Sequence, residues 1–441
     1  MQNLLNSLNA VVWGPPMLLF FIFTALRFTV RSRFFQLRGV GAIFKSTFGK
    51  MLSGKKTSGI SQFSAFCSVL GACIGTGNIV GVATAIYSGG AGAVFWMWLS
   101  ALLSTMTAYG ENYLGISVKE RYKSTLLQGA YAYIKKATSS DRVTFAYAML
   151  SFMSAIGMGN LTQSNSLSDS LKNSLGISPQ ITGIICAVLC GLVIAGGIKR
   201  IARMQTVLVP LMTIFYLVLS FAVLMKFKWN IVPCLGLILK EAFTVKALSG
   251  YGMYKAIRYG VSRGVFSNEA GLGSSTLIHA EADDGTPQVQ GMWAMTEVFV
   301  DTIFMCTLTA LVILVSTDYP QHTLFGSALS TAAYGTIGNV GKCGVGILTA
   351  VFAFTSLTSC SFYGEKSFRF MLGERWVPLY RCLYTLLVFW GCTGKPTIIW
   401  TIADVCNGLM ALPNLFAINC LCKEVVYDKA KLTKQRKYPT A

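Results

Sequence analysis

The residues of this chain dictate an all-α integral membrane protein with about 11 helices. Three observations carry that reading. Of 441 residues, 53% are hydrophobic and only 12% are charged, and the mean hydropathy is +0.56. A soluble domain carries about 25% charged residues, so lipid must cover much of this surface. The apolar runs are long enough to cross about 30 Å of hydrocarbon. The basic residues sit in short segments between those runs, as loops of one membrane side do.

Taken in order, the apolar runs predict helices at about 10–28, 62–88, 91–117, 143–171, 180–198, 206–227, 257–280, 290–316, 342–366, 376–393 and 396–421. Shorter amphipathic stretches at about 34–51, 236–248 and 322–337 are expected at the interface. The first run, from Ala10 to Leu26, follows no basic residue and precedes no small-residue cleavage site, so it reads as a retained helix.

Orientation follows from Lys and Arg. Eight basic residues lie between Arg27 and Lys56, and six between Lys119 and Arg142. Lys199, Arg200 and Arg203 form a third group, and Lys366, Arg369, Arg375 and Arg381 a fourth. Six more lie between Lys423 and Lys437. Alternating helices put these 27 of the 37 basic residues on one side, which should be the cytoplasm. The N-terminus is then outside and the C-terminus cytoplasmic.

Several function classes fall away. A net charge of +20 could suggest nucleic acid, but the charges are not interleaved with aromatics on a soluble face. They match loops meeting anionic headgroups, so membrane lipid is the expected contact and nucleic acid is not. The 13 cysteines lie mostly inside apolar runs with no C-x-x-C pair, and read as small apolar residues. Two histidines, His279 and His322, are too few for a histidine-rich metal centre, and no Walker A sequence occurs. No nucleophile–base–orienter set points to an enzyme. Nothing implies an obligate protein partner.

Two segments break the hydropathy pattern. GACIGTGNIVG (71–81) lies in the second helix and SNEAGLGSS (267–275) in the seventh. They are five helices apart, and an odd repeat makes the second half enter from the opposite side. Paired interrupted helices at corresponding places are the best sequence pointer to a transporter site. Glycine costs about 1 kcal/mol against alanine inside a helix, so four glycines in eleven residues weaken a turn. The exposed backbone groups cannot face lipid. Half-helix N-termini favour a carboxylate and free carbonyls favour a cation or an ammonium group. Close packing is the competing reading, because spacing such as Gly77 to Gly81 also lets helices approach. The adjacent Asn78 and Asn268 favour a binding site.

Four carboxylates fall in or near apolar runs, where each costs about 2.5–3.5 kcal/mol. Glu111 is expected to accept from unwound backbone N–H groups. Asp301 has two readings, a pair with Arg263 or a place beside a cation. Glu297 reads as nearer an interface, with little role. Glu269 sits within the second break.

At these motifs a resemblance becomes specific. GACIGTGNIVGVATAIYSGGAGAVFWMW (71–98), RYGVSRGVFSNEAGLGSSTLIHA (258–280), EVFVDTIFMCTLTALVIL (297–314) and FYGEK (362–366) resemble the signatures of the alanine/glycine:cation symporter family. The resemblance implies a LeuT-type fold, a five-plus-five inverted repeat preceded by one extra helix. The implied organisation is an extra helix and cytoplasmic segment over 1–61, repeats over 62–228 and 229–421, and a basic tail over 422–441. It implies sodium-coupled uptake of alanine, glycine or a similar small amino acid such as D-alanine or serine, in a bacterial cell (inner) membrane. An uncoupled facilitator or a proton-coupled carrier is the alternative. By motif, Gly75, Thr76 and Gly77 would meet the substrate carboxylate. Phe266 and Ser267 would offer carbonyls to the amine beside Asn268, and Gln163 of GNLTQSN would close the pocket. The carbonyls of Gly71, Ile74 and Phe352 with the hydroxyls of Thr355 and Ser356 would hold the co-transported sodium ion. Asn78, Glu111, Arg263, Glu269 and Asp301 would be structural or gating. Three places depart from the family pattern: Cys360 in place of tryptophan, the segment AEADDGTPQVQG (280–291), and Tyr109-Gly110-Glu111.

Overall fold

The computed structural model describes residues 2–51, 60–122, 126–244, 251–283, 285–317, 324–394 and 396–427. Lys55, Lys56, His322, the tail beyond 427 and parts of the stretches 236–248 and 322–337 lie outside the described residues.

The described chain is helical apart from one isolated bridge between Ile60 and Ala282. The first predicted helix is two: α1 (Gln2–Val12) and α2 (Pro15–Arg31). Gly14 is extended and Pro15-Pro16 opens α2, where a missing N–H costs nothing. Next come α3 (Gln62–Cys73) and α4 (Val80–Gly89), then α5 (Gly92–Tyr122) and α6 (Ala130–Thr138). Helices α7 (Asp141–Ile156) and α8 (Gln163–Leu175) are joined through a wide π-helical segment, Gly157–Thr162. Then follow α9 (Pro179–Ile194), α10 (Gly197–Lys226), α11 (Ile231–Ala242), α12 (Tyr251–Asn268) and α13 (Ser275–His279). A second π segment, Phe299–Cys306, joins α14 (Pro287–Val298) to α15 (Thr307–Ser316). The chain ends with α16 (Ser327–Gly335), α17 (Asn339–Leu372), α18 (Val377–Thr393) and α19 (Pro396–Leu421).

By length and hydropathy, five helical stretches among the described residues suffice to cross a membrane: Ser7–Arg31, Gly197–Lys226, Pro287–Ser316, Asn339–Leu372 and Ile399–Leu421. Their outer surface confirms the solvent they need. On α10, Val207, Leu211, Ile214, Val218, Phe221 and Met225 are exposed at helical spacing. The opposite face buries Gln205, Val209, Met212, Tyr216 and Val223. An exposed apolar stripe of that length suits acyl chains rather than water.

Two boundaries correct the sequence expectation. Lys199, Arg200 and Arg203 lie in the first turns of α10 rather than in a loop, because Gly197 (φ +62) turns the chain immediately after α9. Their long stems reach the interface from within a helix. The segment between Lys119 and Arg142 also contains α6, whose buried Tyr131 and Tyr133 pack into the main core.

Helices α12, α5 and α14 pack together on one side, and α17 packs against α7, α8 and α10 on the other. The two breaks, between α3 and α4 and between α12 and α13, lie in the space these groups enclose.

Candidate functional site

The first break follows from local crowding. After Cys73 the chain leaves the α-helix, and Thr76–Asn78 form a single 3₁₀ turn. The Gly75 N–H donates to Asn78 Oδ1 at 3.1 Å. The amide and hydroxyl of Thr76 both donate to Gln163 Oε1 at 3.0 Å. A Cβ on Gly75 would collide with Ser356 Oγ and lie 2.9 Å from Gln163 Oε1, so closeness explains this glycine. At Gly77 a Cβ would sit 3.5 Å from both the Phe266 ring and the Ser267 Cα. The close approach is therefore at Gly75, and Gly77 is in ordinary van der Waals contact.

The second break is built from left-handed residues. Glu269 (φ +55), Gly271 (φ +95) and Gly273 (φ +77) turn the chain three times within five residues. Two are glycine, which tolerates this region freely; Glu269 pays about 1–2 kcal/mol for it. Several of the freed backbone groups find partners. Ala270 N–H donates to Asn268 Oδ1 at 3.0 Å, and Gly271 N–H to Glu111 Oε2 at 3.2 Å. Asn414 Nδ2 donates to Gly271 O at 2.8 Å and also to Glu111 Oε1. Tyr147 donates to Leu272 O at 2.8 Å, and the Ser274 hydroxyl donates to Glu269 Oε2.

Both breaks reach the π segment. Asn78 Nδ2 donates to Asp301 Oδ1 at 2.7 Å and to Asp301 O at 3.0 Å. Asn268 Nδ2 donates to Thr302 Oγ1 at 3.0 Å, whose hydroxyl donates to Asp301 Oδ2 at 2.7 Å. Ser267 Oγ lies 3.6 Å from Cys306 Sγ.

On the opposite wall, α17 offers its hydroxyls to the first break. Ser356 Oγ lies 3.0 Å from Gly71 O and 2.9 Å from Ala72 O. Thr355 donates back to Phe352 O at 2.8 Å, and Ile74 is fully buried. Gly71, Phe352, Thr355 and Ser356 thus present oxygen atoms only. No cluster of three His, Cys, Asp or Glu side chains suited to a metal exists among the described residues.

Two expectations are corrected. Arg263 does not pair with Asp301. Its guanidinium grips Asp404 of α19 bidentately, Nη1 to Oδ1 at 3.0 Å and Nη2 to Oδ2 at 2.5 Å, with both side chains nearly fully buried. Asp301 is satisfied by neutral donors instead. Glu297 is not interfacial: it is buried, 2.9 Å from His279 Nε2, whose Nδ1 lies 2.6 Å from Gln290 Oε1. Asp404 itself was missed, although the rule that flags acids in apolar runs applies to it. Cys360 is buried, close against Gly159 of the first π segment; a Cβ on Gly159 would collide with it, so this approach requires small residues.

Glu111→Gln keeps one acceptor oxygen for Gly271 but sets an amide against the Asn414 donor. The expected loss is about 1–3 kcal/mol of stability, read as a lower melting midpoint of the purified protein. A midpoint equal to wild type would show that the network does not hold the second break.

A bundle in which two unwound helices face a hydroxyl-bearing helix across a buried, oxygen-lined space is a multi-pass membrane transporter of the LeuT type. The fold is shared with MhsT in complex with L-phenylalanine (TM-score 0.57, 13% identity, 81% of this chain and 89% of that one). It is shared also with a Na⁺-coupled sialic acid symporter (TM-score 0.55, 14% identity, 92% and 86%). More particularly, the chain belongs to the sodium:alanine symporter family, whose model matches residues 1–440. It is 36% identical to the sodium/alanine symporter AgcS of Methanococcus maripaludis, over 99% of this chain and 98% of that one. It is 31% identical to the probable sodium/glutamine symporter GlnT of Bacillus subtilis, over 99% and 92%. It is 32% identical to the putative sodium/proton-dependent alanine carrier protein YrbD of the same organism, over 99% and 93%.

Proposed function

We propose that this protein imports a small neutral amino acid, alanine or glycine, together with sodium, by alternating access across a bacterial inner membrane. The observation that carries this reading is the approach of Ser356 to the Gly71 and Ala72 carbonyls, directly beside Gly75, Thr76 and Gln163. Hydroxyl and carbonyl oxygens suit a hard cation, and the N–H groups of the first break, now held by side-chain oxygens, suit a carboxylate. Gly71, Ile74, Phe352, Thr355 and Ser356 hold sodium. Thr76 and Gly77 take the substrate carboxylate once Gln163 releases the Thr76 amide, and the Phe266 and Ser267 carbonyls take the amine. The N-terminus faces outside and the C-terminus the cytoplasm, with repeats over 62–228 and 229–421.

The closeness of Ser356 and Gln163 around Gly75 sets the substrate size. A methylene gains about 0.8 kcal/mol in free apolar space but costs about 1–3 kcal/mol when it must force a packed wall apart. Unlabelled glycine, alanine and serine are expected to inhibit alanine uptake into proteoliposomes, and leucine and phenylalanine are not. A flat inhibition profile from alanine to leucine removes the small-amino-acid assignment. Uptake that ignores an imposed sodium gradient points to a facilitator or to proton coupling instead.

A further inference from the structure

Gln205, on the buried face of α10, belongs to none of the roles assigned so far. Its carboxamide lies between the two elements that carry the cation oxygens. On the α17 side, Nε2 donates to Thr355 O at 2.8 Å, and lies 3.1 Å from Thr358 Oγ1 and 2.9 Å from Ser359 Oγ. On the α3 side, Oε1 is packed against Gly71. A Cβ on Gly71 would lie 2.5 Å from that oxygen, so the absent side chain at 71 is what admits the carboxamide. Gly71 O is itself the carbonyl that Ser356 approaches.

The two halves of this amide are treated unequally. The nitrogen meets three oxygen atoms. The oxygen is fully buried and meets no donor among the described residues. The amide cannot simply be reversed, because Thr355 O is an acceptor only and requires the N–H₂ end. A buried amide oxygen without a partner costs about 1–3 kcal/mol, and it persists where something else satisfies it. Side-chain amide oxygens are ordinary ligands of hard cations, equivalent in kind to backbone carbonyls. Met212, two turns along the same face of α10, places its sulfur 3.7 Å from Thr355 Oγ1.

We propose that Gln205 Oε1 is a direct ligand of the co-transported sodium ion, added from α10 to the oxygens of α3 and α17. This rests on the cation reading above and extends it to a third helix.

The test uses the full-length protein, with two readouts in sodium chloride against choline chloride. One is the sodium-dependent rise in melting midpoint in detergent. The other is the sodium concentration for half-maximal alanine uptake in proteoliposomes. Gln205→Met, of similar length and without the oxygen, is expected to lose most of the sodium-dependent rise and to need about tenfold more sodium. Gln205→Glu returns an oxygen but not the N–H₂ donors, and is expected to recover the rise. A role confined to the nitrogen predicts the reverse, with Glu as impaired as Met, and that result overturns the proposal even if the Met variant folds poorly. Thr355→Ala separates the two levels. If it loses the sodium response while Gln205→Met keeps it, the proposal falls and the cation site stands. If neither variant changes the sodium response, the cation site falls and the proposal with it.

Discussion

Thr355→Ala combined with Ser356→Ala is expected to raise the sodium concentration for half-maximal uptake by about a hundredfold or more. An interaction with a charged group is worth about 1.5–3 kcal/mol, and two such oxygens are lost together. Each factor of ten is about 1.4 kcal/mol, so the lower bound alone reaches a hundredfold. The two hydroxyls are not equivalent in the structure. Thr355 bonds within its own helix, to Phe352 O at 2.8 Å, whereas Ser356 crosses to Gly71 and Ala72. Ser356→Ala alone therefore also loosens α17 from α3, and lowers the melting midpoint in choline chloride. Thr355→Ala should leave that midpoint nearly unchanged and act on the sodium response. Thr355→Ser keeps the hydroxyl and should stay close to wild type. A double variant with ordinary sodium dependence would mean that both hydroxyls only join helices.

The breaks were legible because they violate local rules. Glycines at 71, 75, 77 and 81, and Ser-Asn-Glu-Ala-Gly-Leu-Gly-Ser-Ser at 267–275, weaken a helix at membrane depth. The structure breaks at Ile74–Ile79 and at Glu269–Ser274, inside those windows. The partners of buried groups were not legible. Arg263 and Asp404 are 141 positions apart, and nothing local distinguishes Asp404 from Asp301 as the partner. Glu297 read as an interfacial residue; only tertiary packing brings it to His279, 18 positions away. The π segments were equally hidden, since one extra residue in a turn leaves no mark on hydropathy. Gln205 hid among Lys199, Arg200 and Arg203, which read as the end of a loop, although it lies on the buried face of a helix.

Breaking the buried Arg263–Asp404 pair is expected to abolish uptake and to cost about 3–5 kcal/mol of stability, because the surviving charge stays buried without its partner. The pair ties α12 to α19 beside the first break's aromatic wall. The guanidinium lies 5.3 Å from the Trp400 ring and 5.5 Å from the Phe266 ring, and the two rings stack at 5.3 Å. Trp13 of the N-terminal segment donates to Asp404 O at 2.8 Å, which fixes the helix bearing the acid. Such a pair can be a static brace or a closure that opens to admit substrate. Apolar replacement separates the two, because exchanging a whole buried ion pair for packed apolar residues is often neutral or stabilising. Asp404→Asn and Arg263→Gln should each lower the melting midpoint and stop uptake. Arg263→Met with Asp404→Leu should regain the midpoint. If the pair is a brace, the double variant also regains uptake. If it is a closure, the apolar contact either fails to seal the site or fails to reopen, and uptake stays low in a well-folded protein. Phe266, whose ring the guanidinium faces at 5.5 Å, lies 3.5 Å from where a Cβ on Gly77 would sit, so a parting of the pair would be felt at the first break, which favours the second outcome.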